Sequence, residues 1–261
     1  MTQGRKCEMS IFKKKQQVST HAAINYRGKL LGKDTPFAIT ESFKTLRTNL
    51  MYTTGHVKCP VYGITSSYQN SGKSLISANL AIAFSMMDKK VLLLDGDMRK
   101  PVQHRCFSLT NKKGASEWLS GLEQLDAVVQ SPKEYPTLHV ITSGNIPPNP
   151  QELLAGENAQ ACIEQLRERY DVIIIDLPPA GVVSDAIAVS SFVTGYLYVV
   201  RSGEDDTESV KRITEFMKQM SCRILGMVLN GIDLKTGEYS RYGRKGGKYS
   251  YYRRDASKKD E

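Results

Sequence analysis

Short runs of consecutive apolar residues alternate along this chain with longer segments whose apolar residues recur every three or four positions. The helical spacing predicts helices over residues 40–51, 73–87, 151–169 and 207–220, with Thr40 or Ser42 capping the first. The apolar runs predict strands over residues 57–66, 91–95, 138–142, 172–176, 195–201 and 224–230. Strands that are apolar at every position suit a sheet covered on both faces. The pattern therefore predicts an α/β fold, a doubly wound and mostly parallel sheet with helices on both faces.

This periodicity is confined to the middle of the chain, which predicts three regions. We expect a flexible basic segment over residues 1–36, one α/β domain over residues 37–232, and a disordered tyrosine-rich tail over residues 233–261. The net charge of +9 consists of +7 in residues 1–33, +5 in residues 235–261 and −3 in the residues between them. Basic ends on a mildly acidic body can bind nucleic acid, anionic lipid or an acidic partner, or can simply be solvated.

The sequence offers no segment that would place the chain across a membrane. No apolar run reaches the ~20 residues that span a bilayer, and the first residues lack the hydrophobic stretch of a secretory signal. We therefore expect a cytoplasmic protein. The five cysteines are scattered and form no C-x-x-C pair, so we do not expect a structural zinc site.

A polar loop between the first predicted strand and the second predicted helix contains the first candidate chemistry. Residues 66–74 read Ser-Ser-Tyr-Gln-Asn-Ser-Gly-Lys-Ser, which fits the phosphate-binding pattern G-x-x-x-x-G-K-[ST] except that Ser67 replaces the first glycine. Backbone N–H groups at a helix start bind phosphate, Lys73 can reach the β and γ phosphates, and the Ser74 hydroxyl can ligate Mg²⁺. The predicted ATP-binding residues are Ser67, Asn70, Ser71, Gly72, Lys73, Ser74 and Leu75.

Two predicted strands end in aspartates, and in a parallel sheet both ends lie at the same edge as the phosphate loop. One strand runs into the sequence DGDMR at residues 95–99, the other into DLPP at residues 176–179. Carboxylates suit Mg²⁺, and a carboxylate can also accept a proton from an attacking hydroxyl. Arg99 can bind a phosphate of the nucleotide or pair with an acid. The predicted metal ligands are Ser74, Asp95 and Asp176, and the predicted catalytic residues are Lys73, Asp95, Asp97 and Asp176.

Together these motifs resemble the bacterial tyrosine kinases, the BY-kinase family, in the short form found in Firmicutes. That family has a variant phosphate loop, an apolar run followed by D-x-D-x-R and an apolar run followed by D-x-P-P; residues 95–99 and 176–179 fit the last two. The resemblance covers roughly residues 36–261 and implies a protein-tyrosine kinase that uses ATP and Mg²⁺. It also favours Asp95 over Asp97 as the base that activates the acceptor tyrosine.

The family's ring-forming helix motif, E-x-x-R-x-x-R, appears here as Glu41, Lys44 and Arg47, with lysine in place of the first arginine. The resemblance implies a homo-oligomeric ring. It also implies activation by the cytoplasmic segment of a separate transmembrane protein, which would recruit the chain to the inner face of the plasma membrane. It further implies a role in capsule or exopolysaccharide production. Additional proteins can be phosphorylated on tyrosine, whereas a nucleic-acid partner is not expected.

The tail concentrates five of the thirteen tyrosines among Gly, Lys, Arg and Ser residues. Such a segment can bury no core, and we expect it to be mobile, as a peptide that enters a neighbour's active site must be. Each phosphate would add about −1.5 to −2 charges and several would reverse the tail's charge. Basic residues interleaved with aromatics also suit RNA or lipid, which is the alternative interpretation. The resemblance implies autophosphorylation in trans at Tyr239, Tyr242, Tyr249, Tyr251 and Tyr252.

A second class of protein is the alternative: partitioning or positioning ATPases of the deviant Walker A group, which dimerise on ATP and bind DNA or membrane. Those proteins carry a signature lysine near the start of the phosphate loop, where this chain has Tyr68, and they lack a terminal tyrosine cluster. A third interpretation is a nucleotide-gated scaffold, which would follow if Ser67 or Lys44 impaired catalysis or assembly.

Overall fold

Seven strands form one sheet in a computed structural model that describes residues 26–232. The strands are β1 Val61–Ser66, β2 Val91–Asp95, β3 Val129–Gln130, β4 Leu138–Ile141, β5 Val172–Asp176, β6 Gly195–Arg201 and β7 Ile224–Asn230. The α-helices are α1 Phe37–Thr54, α2 Lys73–Ser85, α3 Gln103–Cys106, α4 Ala115–Leu119, α5 Leu125–Val128, α6 Pro150–Ala155, α7 Glu157–Arg169, α8 Asp185–Ala188 and α9 Thr207–Gln219. A 3₁₀ turn, Arg27–Lys29, precedes them.

The strand order β3-β4-β2-β5-β1-β6-β7 confirms the predicted doubly wound sheet. Every pair is parallel except β3 with β4. β1, β2 and β5 are central neighbours, and the register of β2 on β5 sets Asp95 beside Asp176. The three segments predicted to bind nucleotide therefore leave the sheet at one edge, side by side.

Two hydrophobic layers explain why β2 and β5 are apolar at every position before their terminal aspartates. In β2, Leu92 packs in the layer that contains Ile163 of α7 and Ile213 of α9. The next residue, Leu93, packs in the opposite layer, which contains Leu80 of α2. Because successive side chains of a strand point to opposite faces, a sheet covered on both sides favours an apolar residue at every position within its layers.

Several predicted boundaries were wrong, and each has a local cause. The first strand begins at Val61 instead of residue 57, because the Val57 N–H still bonds the carbonyl of Thr54 at the end of α1 (2.8 Å), and Pro60 has no N–H. The single helix predicted over residues 151–169 is two helices, separated at Gly156, whose ψ of 155° is extended. Pro36 precedes α1, so neither Thr40 nor Ser42 caps it.

Residues 26–36, assigned from sequence to the basic N-terminal segment, contact the domain. Leu31 is buried in the layer of α2, and its N–H donates to Asn79 Oδ1 (2.7 Å), while Asn79 Nδ2 donates to the carbonyl of Lys29 (3.1 Å). The predictions for residues 1–25 and 233–261 lie outside the described residues. Within residues 26–232, no helix combines the length and apolarity needed to cross a membrane.

Candidate functional site

The loop between β1 and α2 is built to receive phosphate. Gly72 precedes the first residue of α2 with φ of 89° in the left-handed region, and no side chain caps the helix start. The hydroxyls of Ser66 and Ser71 donate to the carbonyl of Tyr68 (2.7 and 3.0 Å), which fixes the curve of the loop. Uncapped N–H groups at the start of a 13-residue helix, together with the helix dipole, favour an anion here.

Ser67, which replaces the first glycine of the phosphate-binding pattern, has a defined place. Its hydroxyl shares a hydrogen bond of 2.8 Å with the hydroxyl of Tyr198 in β6. The backbone of Ser67 lies against Gly181, where an added Cβ would be 2.4 Å from the Ser67 carbonyl oxygen. Tyr68, the next residue, donates its hydroxyl to Ser209 Oγ of α9 (2.9 Å). The loop is therefore anchored to the β6 and α9 side of the sheet.

Lys73 is buried and surrounded by acceptors. Its Nζ lies 2.7 Å from Asp97 Oδ2, 3.3 Å from Ser74 Oγ and 3.5 Å from Asp176 Oδ1. Burial alone would lower the pKa of Lys73, but the carboxylates of Asp176 and Asp97 outweigh it, and the pKa is raised. The ammonium is therefore charged at neutral pH, as a group that stabilises phosphate must be.

Asp95 and Asp176, paired across β2 and β5, are both fully buried. Burial, followed by the negative charge of Asp176, raises the pKa of Asp95 to about 8. Burial also raises the pKa of Asp176, against the opposing charge of Lys73. Asp95 Oδ2 accepts the N–H groups of Val102 and Gln103 (3.0 and 2.9 Å), while Asp95 Oδ1 has no hydrogen-bond partner among residues 26–232.

The sequence analysis missed Gln103, the first residue of α3. Its amide Nε2 donates to Asp176 Oδ2 (2.8 Å) and to the backbone carbonyl of Ser74 (3.0 Å). The side chain is fully buried and connects the segments that follow β1, β2 and β5. The four residues of α3 are too few to show a helical pattern, so the only sequence signal at Gln103 is its position eight residues after Asp95.

Arg99, predicted either to bind phosphate or to pair with an acid, pairs with an acid. Its Nε and Nη2 atoms donate to the two oxygens of Asp185 (2.7 and 3.0 Å), and Asp185 is fully buried at the start of α8. Asp97, two residues earlier, accepts the N–H of Lys100 through Oδ1 (3.0 Å) and Lys73 through Oδ2. The loop after β2 is thus tied both to the phosphate loop and to α8.

The donors at this edge fit a magnesium ion. Hydroxyl and carboxylate oxygens are its preferred ligands, and it usually takes only one or two carboxylates from the protein. Ser74 Oγ and Asp176 Oδ1 both lie within 3.5 Å of the Lys73 ammonium, so a cationic group already bridges two of the three predicted ligands. Residues 26–232 contain no group of three His, Cys, Asp or Glu side chains that could hold a metal, so water and the nucleotide would complete the shell.

Of the remaining predicted residues, Asn70 lies in the phosphate loop with φ of 66° and Leu75 lies in the first turn of α2. The others belong to α1 or to the tail beyond residue 232. Lys44 Nζ pairs with Glu41 Oε1 (2.7 Å) on the surface of α1, whereas Arg47 donates to the carbonyl of Ala83 in α2. Arg47 is therefore engaged within its own chain. Asn230, at the end of β7, donates its amide to the carbonyl of Ser71 in the phosphate loop (2.8 Å). The five predicted acceptor tyrosines lie outside residues 26–232.

Comparison with known sequences places this architecture among P-loop proteins. A profile of the ParA family, described as NUBPL iron-transfer P-loop NTPase, matches residues 60–247. Tyrosine-protein kinase YwqD of Bacillus subtilis (strain 168) is 36% identical over 207 residues, which cover 79% of this chain and 87% of YwqD.

Two solved structures have the same fold at similar identity. The chimerical protein CapA2B2 aligns with a TM-score of 0.71 and 37% identity, over 75% of this chain and 85% of that one. The kinase domain of the Escherichia coli tyrosine kinase ETK aligns with a TM-score of 0.72 and 34% identity, over 75% of this chain and 76% of the domain chain. Sequence and fold thus agree on one group of relatives.

Proposed function

Since the chain belongs to the bacterial protein-tyrosine kinases, we propose that it transfers the γ-phosphoryl group of ATP to the tyrosines of its own C-terminal tail, in trans between copies. The observation that best supports this proposal is the convergence of Lys73, Asp95, Asp97 and Asp176 on the phosphate loop. Phosphoryl transfer requires mainly positive charge on the phosphates, a held metal and a base for the attacking hydroxyl. This edge of the sheet contains residues suited to each task.

The phosphate loop and Lys73 bind and orient the nucleotide in this proposal. The N–H groups at the start of α2 hold the phosphates, and Lys73 leaves Asp97 to place its charge on the transferred group. Ser74 and Asp176 would hold Mg²⁺, which, when bound, supplies positive charge to the phosphate oxygens. Arg99 acts on this site indirectly, by fixing the loop that bears Asp97 to α8.

Asp95 was predicted both as a metal ligand and as the base, and its surroundings favour the second role. One of its oxygens is occupied by two backbone N–H groups, which leaves a single oxygen without a partner among the described residues. The raised pKa of Asp95 suits a group that accepts a proton near neutral pH. As the tyrosine oxygen bonds to the γ-phosphorus, the bond from that phosphorus to the β–γ bridging oxygen breaks, the phenolic proton passes to Asp95 Oδ1, and ADP leaves.

The position at which the chain leaves the domain supports the tail as substrate. β7 ends at Asn230, and its side chain contacts the phosphate loop, so the segment that continues toward residue 233 starts beside the active site. The tail itself bears a charge of +5 over residues 235–261. Basic peptides are attracted to an acidic body, and successive phosphates would weaken that attraction.

The proposed partners and biological role of this chain follow from its resemblance to the family. We propose that the chain forms a homo-oligomeric ring through α1, where the side chains of Glu41 and Lys44 are partly exposed in the single chain. We also propose that the cytoplasmic segment of a transmembrane protein activates it at the inner membrane face. We further propose that it regulates capsule or exopolysaccharide production. The positioning-ATPase alternative finds no support at Tyr68, which occupies the position of the signature lysine of those proteins. The Tyr68 hydroxyl instead donates a hydrogen bond to Ser209.

Mass spectrometry of tail phosphotyrosine tests the proposal. The full chain and the Lys73→Met variant are incubated with Mg-ATP, with and without a candidate activator segment. We expect phosphate on Tyr239, Tyr242, Tyr249, Tyr251 and Tyr252 in the unmodified chain alone. An unphosphorylated tail despite ATP binding and an engaged activator would contradict the proposal.

A mixing experiment tests transfer between copies. A donor with all five tail tyrosines changed to phenylalanine is combined with Lys73→Met as acceptor. Because the donor has no tail acceptor and the acceptor has no catalytic lysine, phosphate on the acceptor's tail can arise only in trans. A mixture in which the tail stays unmodified, while the unmodified chain phosphorylates itself, would restrict the reaction to one copy.

A further inference from the structure

Gln103 makes contacts with three separate segments of the site. Its side-chain amide uses both hydrogens, one on Asp176 and one on the backbone carbonyl of Ser74. Its own backbone N–H donates to Asp95. Both side-chain acceptors belong to residues assigned to the metal in the proposed function. The orientation of the amide follows from these contacts, because a carboxylate and a carbonyl can only accept.

We infer that Gln103 is a positioning residue for the magnesium–nucleotide complex, holding Asp176 and Ser74 in the arrangement that the metal ion requires. This inference rests on the proposed assignment of Ser74 and Asp176 as metal ligands. It adds to the phosphate loop and the two aspartate motifs a residue that belongs to none of the three.

The contacts of Asp176 explain how the positioning works. Gln103 binds its Oδ2 atom at 2.8 Å, which leaves Oδ1 directed toward the Lys73 ammonium at 3.5 Å. One oxygen is thus anchored by Gln103, and the other, which also accepts the Ser77 hydroxyl at 3.4 Å, is presented to a cation. The bond from Gln103 to the Ser74 carbonyl fixes the backbone of Ser74, and with it the position of the Ser74 hydroxyl. Groups that orient metal ligands in this way typically change metal affinity about 10- to 100-fold when mutated.

The chemistry of glutamine suits this place better than that of other donors. A lysine or arginine would bring a positive charge that competes with the metal, and a glutamate would add a carboxylate to an already acidic, buried cluster. A neutral amide supplies two donors without charge. Gln103 Oε1 is buried and has no hydrogen-bond partner among residues 26–232, so it offers an acceptor to a water of the metal shell.

Titration of the full chain with ADP, once in Mg²⁺ and once in EDTA, tests this inference. The quantity of interest is the ratio of the two affinities, which is the gain that the metal gives. Gln103→Met keeps the length of the side chain and loses both donors. We expect its ratio to fall about 10-fold while ADP affinity in EDTA stays unchanged. Gln103→Asn has an amide one methylene shorter that cannot reach both acceptors, so its affinity ratio should fall in the same way. This variant replaces Gln103→Met if the methionine variant is unstable.

Ser143→Ala is the matched control. Ser143 is fully buried two residues after the end of β4, and its hydroxyl has no hydrogen-bond partner among the described residues, the proposed ligands included. The ratio of ADP affinities in Mg²⁺ and in EDTA should be the same for Ser143→Ala as for the unmodified chain. A Gln103→Met ratio equal to the unmodified one, or equal losses in both buffers, would overturn the inference. An unmodified chain without any gain from Mg²⁺ would overturn the ligand assignment as well, whereas tail phosphorylation reports on the kinase proposal separately.

Discussion

Lys73 Nζ and Asp97 Oδ2 lie 2.7 Å apart, and both side chains are almost completely buried. The pair links the phosphate loop to the loop after β2, so a lysine expected to face the nucleotide is held by a carboxylate. Removing one partner of a buried ion pair leaves an uncompensated charge, which costs far more than the pair contributes. Binding of phosphate must therefore replace Asp97 with an equally strong partner for Lys73.

We first predict that Lys73 and Asp97 are energetically coupled in the absence of nucleotide. Asp97→Asn should lower the free energy of unfolding by about 3 kcal/mol, because the Lys73 charge stays buried with weaker compensation. Lys73→Met should also destabilise the chain, since it leaves Asp97 without its cation. The double variant should cost less than the sum of the two. Urea unfolding of the three variants measures this coupling, and strictly additive losses would show that the pair has no energetic role.

The continuous apolar strands and the phosphate loop could be predicted from sequence for a physical reason. Leu92 and Leu93 face opposite layers, so both had to be apolar, and the resulting pattern is local. Lys73 is likewise identified by its neighbours in the chain. Its partner Asp97 was named as a catalytic residue, but their direct pairing depends on how the loop after β2 folds back, which no local pattern records.

Gln103 and the partner of Arg99 show what sequence reasoning could not reach. α3 and α8 have four residues each, too short for periodicity, and tertiary contacts hold them in place. Gln103 gains its role only when Asp176, 73 residues away, is brought beside it. Asp185 is separated from Arg99 by 86 residues, so the choice between phosphate and acid stayed open until the fold was known.

Our second prediction concerns pH. Burial and the charge of Asp176 raise the pKa of Asp95 to about 8, so in the free enzyme this carboxyl is mostly protonated at pH 7. A base works only when ionised, so kcat/KM for tail phosphorylation should rise with pH through about 8 and fall toward acid. Initial rates of tail phosphorylation at low Mg-ATP, measured from pH 6 to pH 9, test this rise in kcat/KM. Rates that do not change with pH across this range would exclude a raised pKa of Asp95. Rates that still rise steeply at pH 9 would instead indicate ionisation of the acceptor tyrosine, whose pKa is ~10.

Third, Arg99 should affect stability more than nucleotide binding. Its two bonds to the buried Asp185 need a planar, forked donor, which lysine lacks. Arg99→Lys should therefore lower the free energy of unfolding by about 1 kcal/mol and Arg99→Ala by about 2 kcal/mol, because Asp185 would remain buried without a bidentate partner. ADP affinity should stay unchanged in both variants. Loss of ADP affinity with unchanged stability would instead assign Arg99 to the phosphates.

Our fourth prediction concerns the contact between the phosphate loop and the end of β7. Gly72 has φ of 89°, and a Cβ there would lie 2.1 Å from Asn230 Nδ2. Gly72→Ala should thus incur two costs: roughly 1–2 kcal/mol for the left-handed backbone, and a further loss because Asn230 must release the Ser71 carbonyl.

The two costs of Gly72→Ala can be separated with two further variants. In an Asn230→Ala background the clash disappears and only the backbone cost should remain. Gly121→Ala is the matched control, because Gly121 has φ of 75° and nothing lies within 4 Å of its added Cβ. Urea unfolding and ADP titration of each variant supply the comparison. If Gly72→Ala and Gly121→Ala lose equal stability, and Asn230→Ala brings no relief, then the contact between β7 and the phosphate loop does not restrict the loop. If Gly72→Ala loses more stability than Gly121→Ala, and Asn230→Ala reduces that loss, then β7 is mechanically linked to the loop proposed to bind the nucleotide.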